Sequence, residues 1–258
     1  MTGTPLVLAL IFFSLLFSPG PASAEPSNTQ ELMVAAASDL SFPFKEIGPL
    51  FERACGAKVT FIFGSTGQLA KQVEHGAPVD VFFAADTEWV DYLKGRGKIV
   101  PESQSVFAQG RIVLATAKRL GMTLTRLEDL LKPEVRRIAI ANPSHAPYGR
   151  AAREALEHAR LWEQLKPRLV YGENIRQALQ FIQSGNAQAG IIAVSVAQAT
   201  EIISVPIDGA LYTPLNQSAA VIRRSRRPEL GTAFIRFVAG PHGRPIMKRY
   251  GFLLPGEF

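Results

Sequence analysis

The sequence predicts an α/β protein of two lobes, in which each lobe is a sheet flanked by helices and the ligand site lies in the cleft between them. Short apolar strands alternate with amphipathic helices in two separate stretches of the chain. Strand-like segments at residues 105–118 and 219–223 interrupt this alternation and would join the two units. Polar residues also follow the strands, where open α/β sheets bind ligands.

The N-terminal segment predicts export. Residues 5–17 form an apolar run that is shorter than the roughly 20 residues needed to span a bilayer, although no Lys or Arg precedes it. Ala22-Ser23-Ala24 follows with the small-x-small pattern of a signal-peptidase site. We therefore expect residues 1–24 to be a signal peptide and the mature protein to be periplasmic. An uncleaved anchor is the alternative, and the absence of a cysteine at the cleavage point argues against a lipoprotein.

Composition narrows the function classes. Cys55 is the only cysteine, so no internal disulfide can form, and we expect this residue to be a small packed apolar residue. The net charge of +6 is mild. The densest basic cluster of the chain is residues 223–227. In a cytosolic protein such a cluster would indicate binding to nucleic acid, but in an exported protein it predicts a solvated loop. We expect no nucleic-acid partner.

The first lobe begins with three strand–helix repeats. Each predicted strand is apolar, and each following helix begins near a residue able to cap it or carries an apolar face. The predicted strands are residues 32–37, 60–63 and 79–85, and the helices run to about residue 54, over residues 67–75 and onward from Thr87.

The second lobe repeats the alternation after the long strand at residues 105–118. The predicted helices span residues 125–131 and begin at Pro147 and Asn174, and the strands are residues 137–141, 168–171 and 190–194. Two closing helices, residues 228–239 and 244–250, would return to the first lobe. We therefore predict that lobe 1 comprises residues 31–108 and 220–258 and that lobe 2 comprises residues 109–219.

Four strand-to-helix junctions carry the candidate site: Ser38-Asp39, Ser65-Thr66, residues 142–149 and residues 173–175. Free amides of a first helical turn, together with the helix dipole, favour an anion there. The junctions contain hydroxyls and amides and no Lys or Arg, which suits a small, fully ionised oxyanion. We expect the amide of Asp39, and not its carboxylate, to face that ligand. Each junction taken alone favours an ordinary helix cap, and only the four together favour a site.

The sequence resembles the periplasmic molybdate-binding proteins of ABC importers from about Leu32 to Leu254. The resemblance is carried by residues 35–40 (AAASDL), 63–67 (FGSTG), 79–86 (VDVFFAAD) and 172–175 (GENI). It implies a two-lobed periplasmic binding protein of type II that binds molybdate, or tungstate, and delivers it to a membrane permease. It further implies a monomer that is not an enzyme and has no cofactor.

The resemblance also implies the ligand contacts. Ser38 and Ser65 would donate hydroxyl and amide hydrogen bonds to the oxyanion, and Tyr148 and Ile175 would donate backbone amides. All four would therefore reach the metal atom through the oxyanion oxygens. Many members of this family add a tyrosine hydroxyl from the strand matching residues 190–194, where this chain has Ala193. A compensating donor would be Thr66 or the amide of Asp39.

Other classes of function remain open at this point. One alternative is a binding protein for another oxyanion, such as sulfate or phosphate, or for ferric iron. Ferric-iron sites in this architecture use tyrosine pairs, and no two tyrosines here are adjacent. An enzyme is disfavoured because residues 64–67 (GSTG) are neither a nucleophile elbow nor a phosphate loop. A regulator would need a DNA-binding element, for which no room exists before Leu32. His145 is the one histidine near the predicted site, and Asp80 and Asp86 are expected to cap or pair locally.

Overall fold

A computed structural model describes residues 1–3 and 30–258, so most of the predicted signal peptide lies outside the described residues. The described chain forms two five-stranded sheets with helices against them, which confirms the predicted α/β architecture. No helix in these ranges combines the length and apolar character that a membrane crossing requires.

Ten strands and eight α-helices make up the regular structure of the described chain. The strands are β1 (Glu31–Ala37), β2 (Lys58–Gly64), β3 (Val81–Ala84), β4 (Ser105–Gly110), β5 (Ile112–Ala117), β6 (Ile138–Ala141), β7 (Leu169–Gly172), β8 (Ala189–Ala193), β9 (Ile202–Pro206) and β10 (Leu215–Val221). The helices are α1 (Ser41–Cys55), α2 (Thr66–Glu74), α3 (Glu88–Gly95), α4 (Pro147–His158), α5 (Trp162–Leu165), α6 (Ile175–Ser184), α7 (Pro228–Ala239) and α8 (Gly243–Arg249).

Each sheet mixes parallel and antiparallel strands. The first has the order β2-β1-β3-β10-β4, in which β1 is parallel to β2 and β3, while β10 is antiparallel to β3 and β4. The second has the order β7-β6-β8-β5-β9, with β6 parallel to β7 and β8. Parallel strands end at one edge of a sheet, so the residues after β1, β2 and β3 gather at one edge of the first sheet, and those after β6 and β7 gather in the second.

The two sheets have different cores. Stacked and edge-to-face phenylalanines fill the first, with Phe44, Phe83 and Phe234 in mutual contact at centroid distances of 5.0 to 5.7 Å. Such aromatic pairs stabilise beyond the area they bury. The second core is aliphatic and alanine-rich, formed largely by β5, β6, β8 and the inner faces of α4 and α6. Each sheet thus has a main core of its own, which allows the lobes to move as units.

Several local predictions are wrong. The single strand predicted over residues 105–118 is two strands, because β4 pairs with β10 in the first sheet, whereas β5 pairs with β8 and β9 in the second. The connecting strand predicted at residues 219–223 is β10, an internal strand of the first sheet. The helix predicted at residues 125–131 is a 3₁₀ turn, Leu127–Leu131. Cys55 is exposed because it is the last residue of α1, beyond that helix's buried face.

Candidate functional site

The four predicted junctions meet in one narrow cleft between the two sheets. Its lining includes every predicted site residue: Ser38, Asp39, Ser65, Thr66, Tyr148 and Ile175. The cavity that it encloses has a volume of about 10 Å³. Pockets for drug-sized ligands are larger, about 300 to 1,000 Å³. No Lys or Arg side chain lines this cleft, so the donors around it are uncharged.

Ser65 joins the two lobes directly. It precedes α2, but its side chain makes no capping hydrogen bond to that helix. Its Oγ instead donates to the carbonyl of His145 at 2.8 Å and lies 2.8 Å from His145 Nδ1. Two residues further on, the amide of Gly67 donates to the same carbonyl at 2.9 Å. The lobes are therefore closed on each other at this point.

The second lobe presents two helix N-termini to the cleft. Pro147 occupies the first turn of α4, and Asn174 caps α6 by accepting hydrogen bonds from the amides of Arg176 and Gln177. The amides of Tyr148 and Ile175 lie in these first turns, where an α-helix offers no acceptor of its own. Both residues are almost fully buried, so these amides can serve an anion in the cleft without competition from bulk water.

The Tyr148 side chain makes a contact that the sequence did not predict. Its hydroxyl crosses from α4 to the first lobe and donates to Asp39 Oδ2 at 2.9 Å. Gln217 of β10 also donates from Nε2 to Asp39 Oδ2, and its Nε2 lies 3.1 Å from the Tyr148 hydroxyl. We call Asp39, Tyr148 and Gln217 the interlobe triad.

No cation balances the carboxyl group of this triad. Asp39 is fully buried, and its Oδ1 has no hydrogen-bond partner among the described residues. Burial raises the pKa of Asp39 to about 6, although the hydrogen bonds from Gln217 and Tyr148 act in the opposite direction. Burial also raises the pKa of Tyr148 well above its ordinary value, and the Asp39 charge adds to this effect. Asp39 is therefore the group of the cleft whose charge can change near neutral pH.

Gln217 was missed because nothing local marks it as a site residue. It lies in a strand of ordinary sequence and reaches Asp39 only through the position of β10 inside the first sheet. Gly110 offers a faint signal, because a Cβ there would overlap the Tyr148 hydroxyl and so displace it from the triad.

Arg150 forms a second contact across the cleft that the sequence did not indicate. This residue of α4 pairs with Asp86 at 2.9 Å and with Glu88 at 2.6 Å, both in the first lobe. Asp86 does also pair locally, since its Oδ1 accepts from the amide of Trp89. The ion pairs exist only when the lobes are together, so they favour the closed form.

Replacing Arg150 with glutamine should weaken ligand binding about fivefold, or about 1 kcal/mol, by removing this support for closure. Arg153→Gln is the matched control, because Arg153 lies on the same helix and its ion pair, with Glu157, is within that helix. Titration calorimetry on both variants measures the effect. Equal affinities for the two variants would show that the Arg150 pairs do not contribute to closure.

His145 and Ala193 complete the set of residues singled out in the sequence. His145 contacts Ser65 and lies 3.9 Å from Glu173, and no cluster of three or more potential metal-ligating side chains occurs among residues 1–3 and 30–258. Ala193 ends β8 and is fully buried, and it is not among the residues that line the cleft. Thr66 Oγ1 accepts a hydrogen bond from the amide of Ala85 at 3.2 Å, which leaves its proton free to donate.

Comparison with known proteins finds one family of solute-binding proteins and relatives that are named as molybdate-binding proteins. The family described as bacterial extracellular solute-binding protein matches residues 32–253. The molybdate-binding protein ModA of Rhodobacter capsulatus is 35% identical over 236 residues, covering 89% of this chain and 91% of the relative. The ModA of Azotobacter vinelandii is 35% identical over 230 residues, covering 88% and 91%.

Solved structures that superpose on this chain include binding proteins for oxyanions. The periplasmic molybdate-binding protein of Azotobacter vinelandii superposes with a TM-score of 0.82 at 30% identity and covers 87% of this chain and 99% of that one. The sulfate-binding protein SubI of Mycobacterium tuberculosis superposes at 0.75, with 86% of each chain covered. At 15% identity the second likeness concerns the fold alone.

Proposed function

Because the chain belongs to the family of bacterial extracellular solute-binding proteins, we propose that it captures molybdate, and tungstate by the same contacts, and delivers it to the permease of an ABC importer. Relatives at 35% identity that are named as molybdate-binding proteins support this proposal. The observation that carries it is the meeting of four strand-to-helix junctions around one narrow cleft that no Lys or Arg side chain lines. A binding role follows, and no enzymatic step is proposed.

In the proposed complex the oxyanion is held by both lobes. Ser38 and Ser65 donate their hydroxyls, and Tyr148 and Ile175 donate backbone amides. Ser65 then exchanges its hydrogen bond with His145 for one with the ligand. The Asp39 amide or the Thr66 hydroxyl supplies the donor that a tyrosine at the position of Ala193 would otherwise provide. These neutral donors suit a dianion that carries no proton, since each of them can donate to one of its oxygens.

Because the ligand is small, each hydrogen-bond donor contributes a large share of the binding free energy. A ligand efficiency of about 1.5 kcal/mol per heavy atom gives roughly 7 to 8 kcal/mol for a five-atom anion, near micromolar affinity. Tighter capture requires donors that are fixed before binding. A hydrogen bond to a charged group contributes about 1.5 to 3 kcal/mol net, so the loss of one is measurable.

Replacing Ser65 with alanine should therefore weaken molybdate binding about tenfold or more. Titration calorimetry measures the change, and Ser184→Ala, at an exposed serine of α6, is the matched control. Unchanged affinity in Ser65→Ala would remove this serine from the ligand contacts.

Calorimetry against four anions tests the function itself. We expect molybdate and tungstate to bind with similar affinity, and sulfate and phosphate to bind far more weakly. A preference for sulfate or phosphate would replace the proposal with the second candidate, a binding protein for another tetrahedral oxyanion.

The remaining parts of the proposal concern the whole protein. We propose that the protein is a periplasmic monomer without its first 24 residues, with lobe 1 at residues 31–108 and 220–258 and lobe 2 at residues 109–219. N-terminal sequencing of the exported protein tests the removal of residues 1–24, and light scattering tests the monomeric state. Cleavage elsewhere, or a dimer at micromolar concentration, would contradict them.

A further inference from the structure

A large cavity lies at the opposite end of the first sheet from the ligand cleft. It borders the residues before β3 and after β10, whereas the cleft borders residues after β1 and β3. At about 3.3 Å per strand residue, the two sites are about 15 Å apart. The cavity has a volume of about 580 Å³. Six basic side chains line it, and we call it the basic pocket: Arg96, Lys98, Arg223, Arg224, Arg226 and Arg227.

Most of these cations are not neutralised by the protein. Arg96 pairs with Glu74 at 2.6 Å, and Arg223 donates to the carbonyl of Gly97. Lys98, Arg224 and Arg226 make no ion pair within 4.0 Å in the described part of the chain, and the same holds for Arg227. An unpaired cluster of this kind repels itself and favours a bound polyanion.

Asp80 is the one carboxylate among the residues that line the pocket, and both of its oxygens accept hydrogen bonds from the protein. Its Oδ2 accepts from the amide of Met33 at 2.9 Å, and its Oδ1 accepts from the hydroxyl of Ser225 at 2.7 Å. Ser225 Oγ in turn accepts from the amide of Arg227 at 3.0 Å. These hydrogen bonds hold the arginine-rich turn in place, which reduces the ordering cost of binding.

The chemistry of the pocket differs from that of the cleft. Guanidinium groups form paired hydrogen bonds with phosphate oxygens, and several of them around one cavity match several phosphate groups. We propose that the basic pocket is a second anion site, separate from the cleft, that binds a ligand carrying two or more phosphate groups. The ligand is either a soluble polyphosphate or clustered phospholipid headgroups. This proposal does not depend on what the cleft binds.

Inorganic tripolyphosphate is the first probe, titrated by calorimetry at low and physiological salt with molybdate in excess. We expect binding that weakens with salt. The variant R224Q/R226Q/R227Q should bind tripolyphosphate at least about tenfold more weakly, with an unchanged circular dichroism spectrum as the check on folding. The control R53Q/R136Q/R137Q removes the same charge from exposed arginines elsewhere and should bind within about threefold of the wild type. Equal loss in both variants, or no binding to the wild type at low salt, would overturn the proposal.

Vesicles identify the source of the phosphate. Sedimentation of the wild type with phosphatidylglycerol vesicles, but not with phosphatidylcholine vesicles, and its reversal by tripolyphosphate would assign the pocket to lipid headgroups. Binding of tripolyphosphate without sedimentation would assign it to a soluble polyphosphate. In both cases R224Q/R226Q/R227Q should lose the interaction, and vesicle binding that this variant retains would contradict the assignment.

Discussion

Replacing Asp39 with asparagine should remove most of the pH dependence of molybdate binding between pH 5 and pH 8. In the wild type the closed lobes bury this carboxyl with a pKa of about 6, against an ordinary value of 3.8. The closed state therefore binds more protons than a state in which Asp39 is exposed, and closure becomes less favourable as the pH rises through about 6. The proposed dianion beside it acts in the same direction, because a second negative charge disfavours ionisation.

The size of this effect follows from the shift in pKa. Ionised Asp39 costs the closed state about 3 kcal/mol relative to an exposed carboxyl. Affinity should fall about tenfold between pH 5 and pH 8, because pH 5 lies only about one unit below the pKa in the closed state. Asparagine has the same shape and can still accept hydrogen bonds from Tyr148 and Gln217. At pH 8 the variant should bind molybdate about tenfold or more tightly than the wild type.

Calorimetry at several pH values, on the wild type and on Asp39→Asn, measures both quantities. All other titratable groups are common to the two proteins, so the difference between them isolates Asp39. Thermal unfolding in saturating molybdate gives a second readout, in which the wild type but not the variant loses stability as the pH rises through about 6. Parallel pH profiles for the two proteins would show that Asp39 does not titrate on closure.

Replacing Gly67 with alanine should prevent full closure and weaken molybdate binding by about tenfold to a hundredfold. The new Cβ would lie 2.6 Å from Trp89 Cζ2 and 2.7 Å from the carbonyl oxygen of His145. The half-buried Trp89 ring can move, but the His145 carbonyl is main chain of the other lobe and can move only if the cleft opens. Overpacking of this kind typically costs about 1 to 3 kcal/mol.

The same substitution should leave the unliganded protein as stable as the wild type, or slightly more stable, because alanine favours the helical conformation of α2. Gly95→Ala in α3 is the matched control, since nothing lies within 4 Å of its Cβ position. Small-angle scattering with and without molybdate would report closure directly. An unchanged affinity and the same compaction as the wild type would contradict the role of Gly67 in closure.

The local parts of this arrangement could be predicted from the sequence. Alternating apolar strands and helices predicted the two sheets, and Asn174 caps α6 as its position indicated. The four junctions were recognisable because each follows an apolar strand and begins a helix. The N-cap expected of Ser65 is wrong in its details, since the hydroxyl turns to His145 of the other lobe.

The parts that the sequence did not reveal are contacts between distant segments. Gln217 lies 178 positions from Asp39, and only the insertion of β10 between β3 and β4 brings them together. The division of residues 105–118 at Arg111 depends on pairing with two different sheets. No periodicity within the segment distinguishes that outcome from one continuous strand.

The position of β10 has a consequence during synthesis. This strand lies between β3 and β4, yet it is the last of the ten strands to leave the ribosome. Until residue 221 has emerged, the first sheet lacks an internal strand, and β4 has no neighbour within it. The first sheet therefore cannot be completed before nearly all of the residues up to 221 have been synthesised.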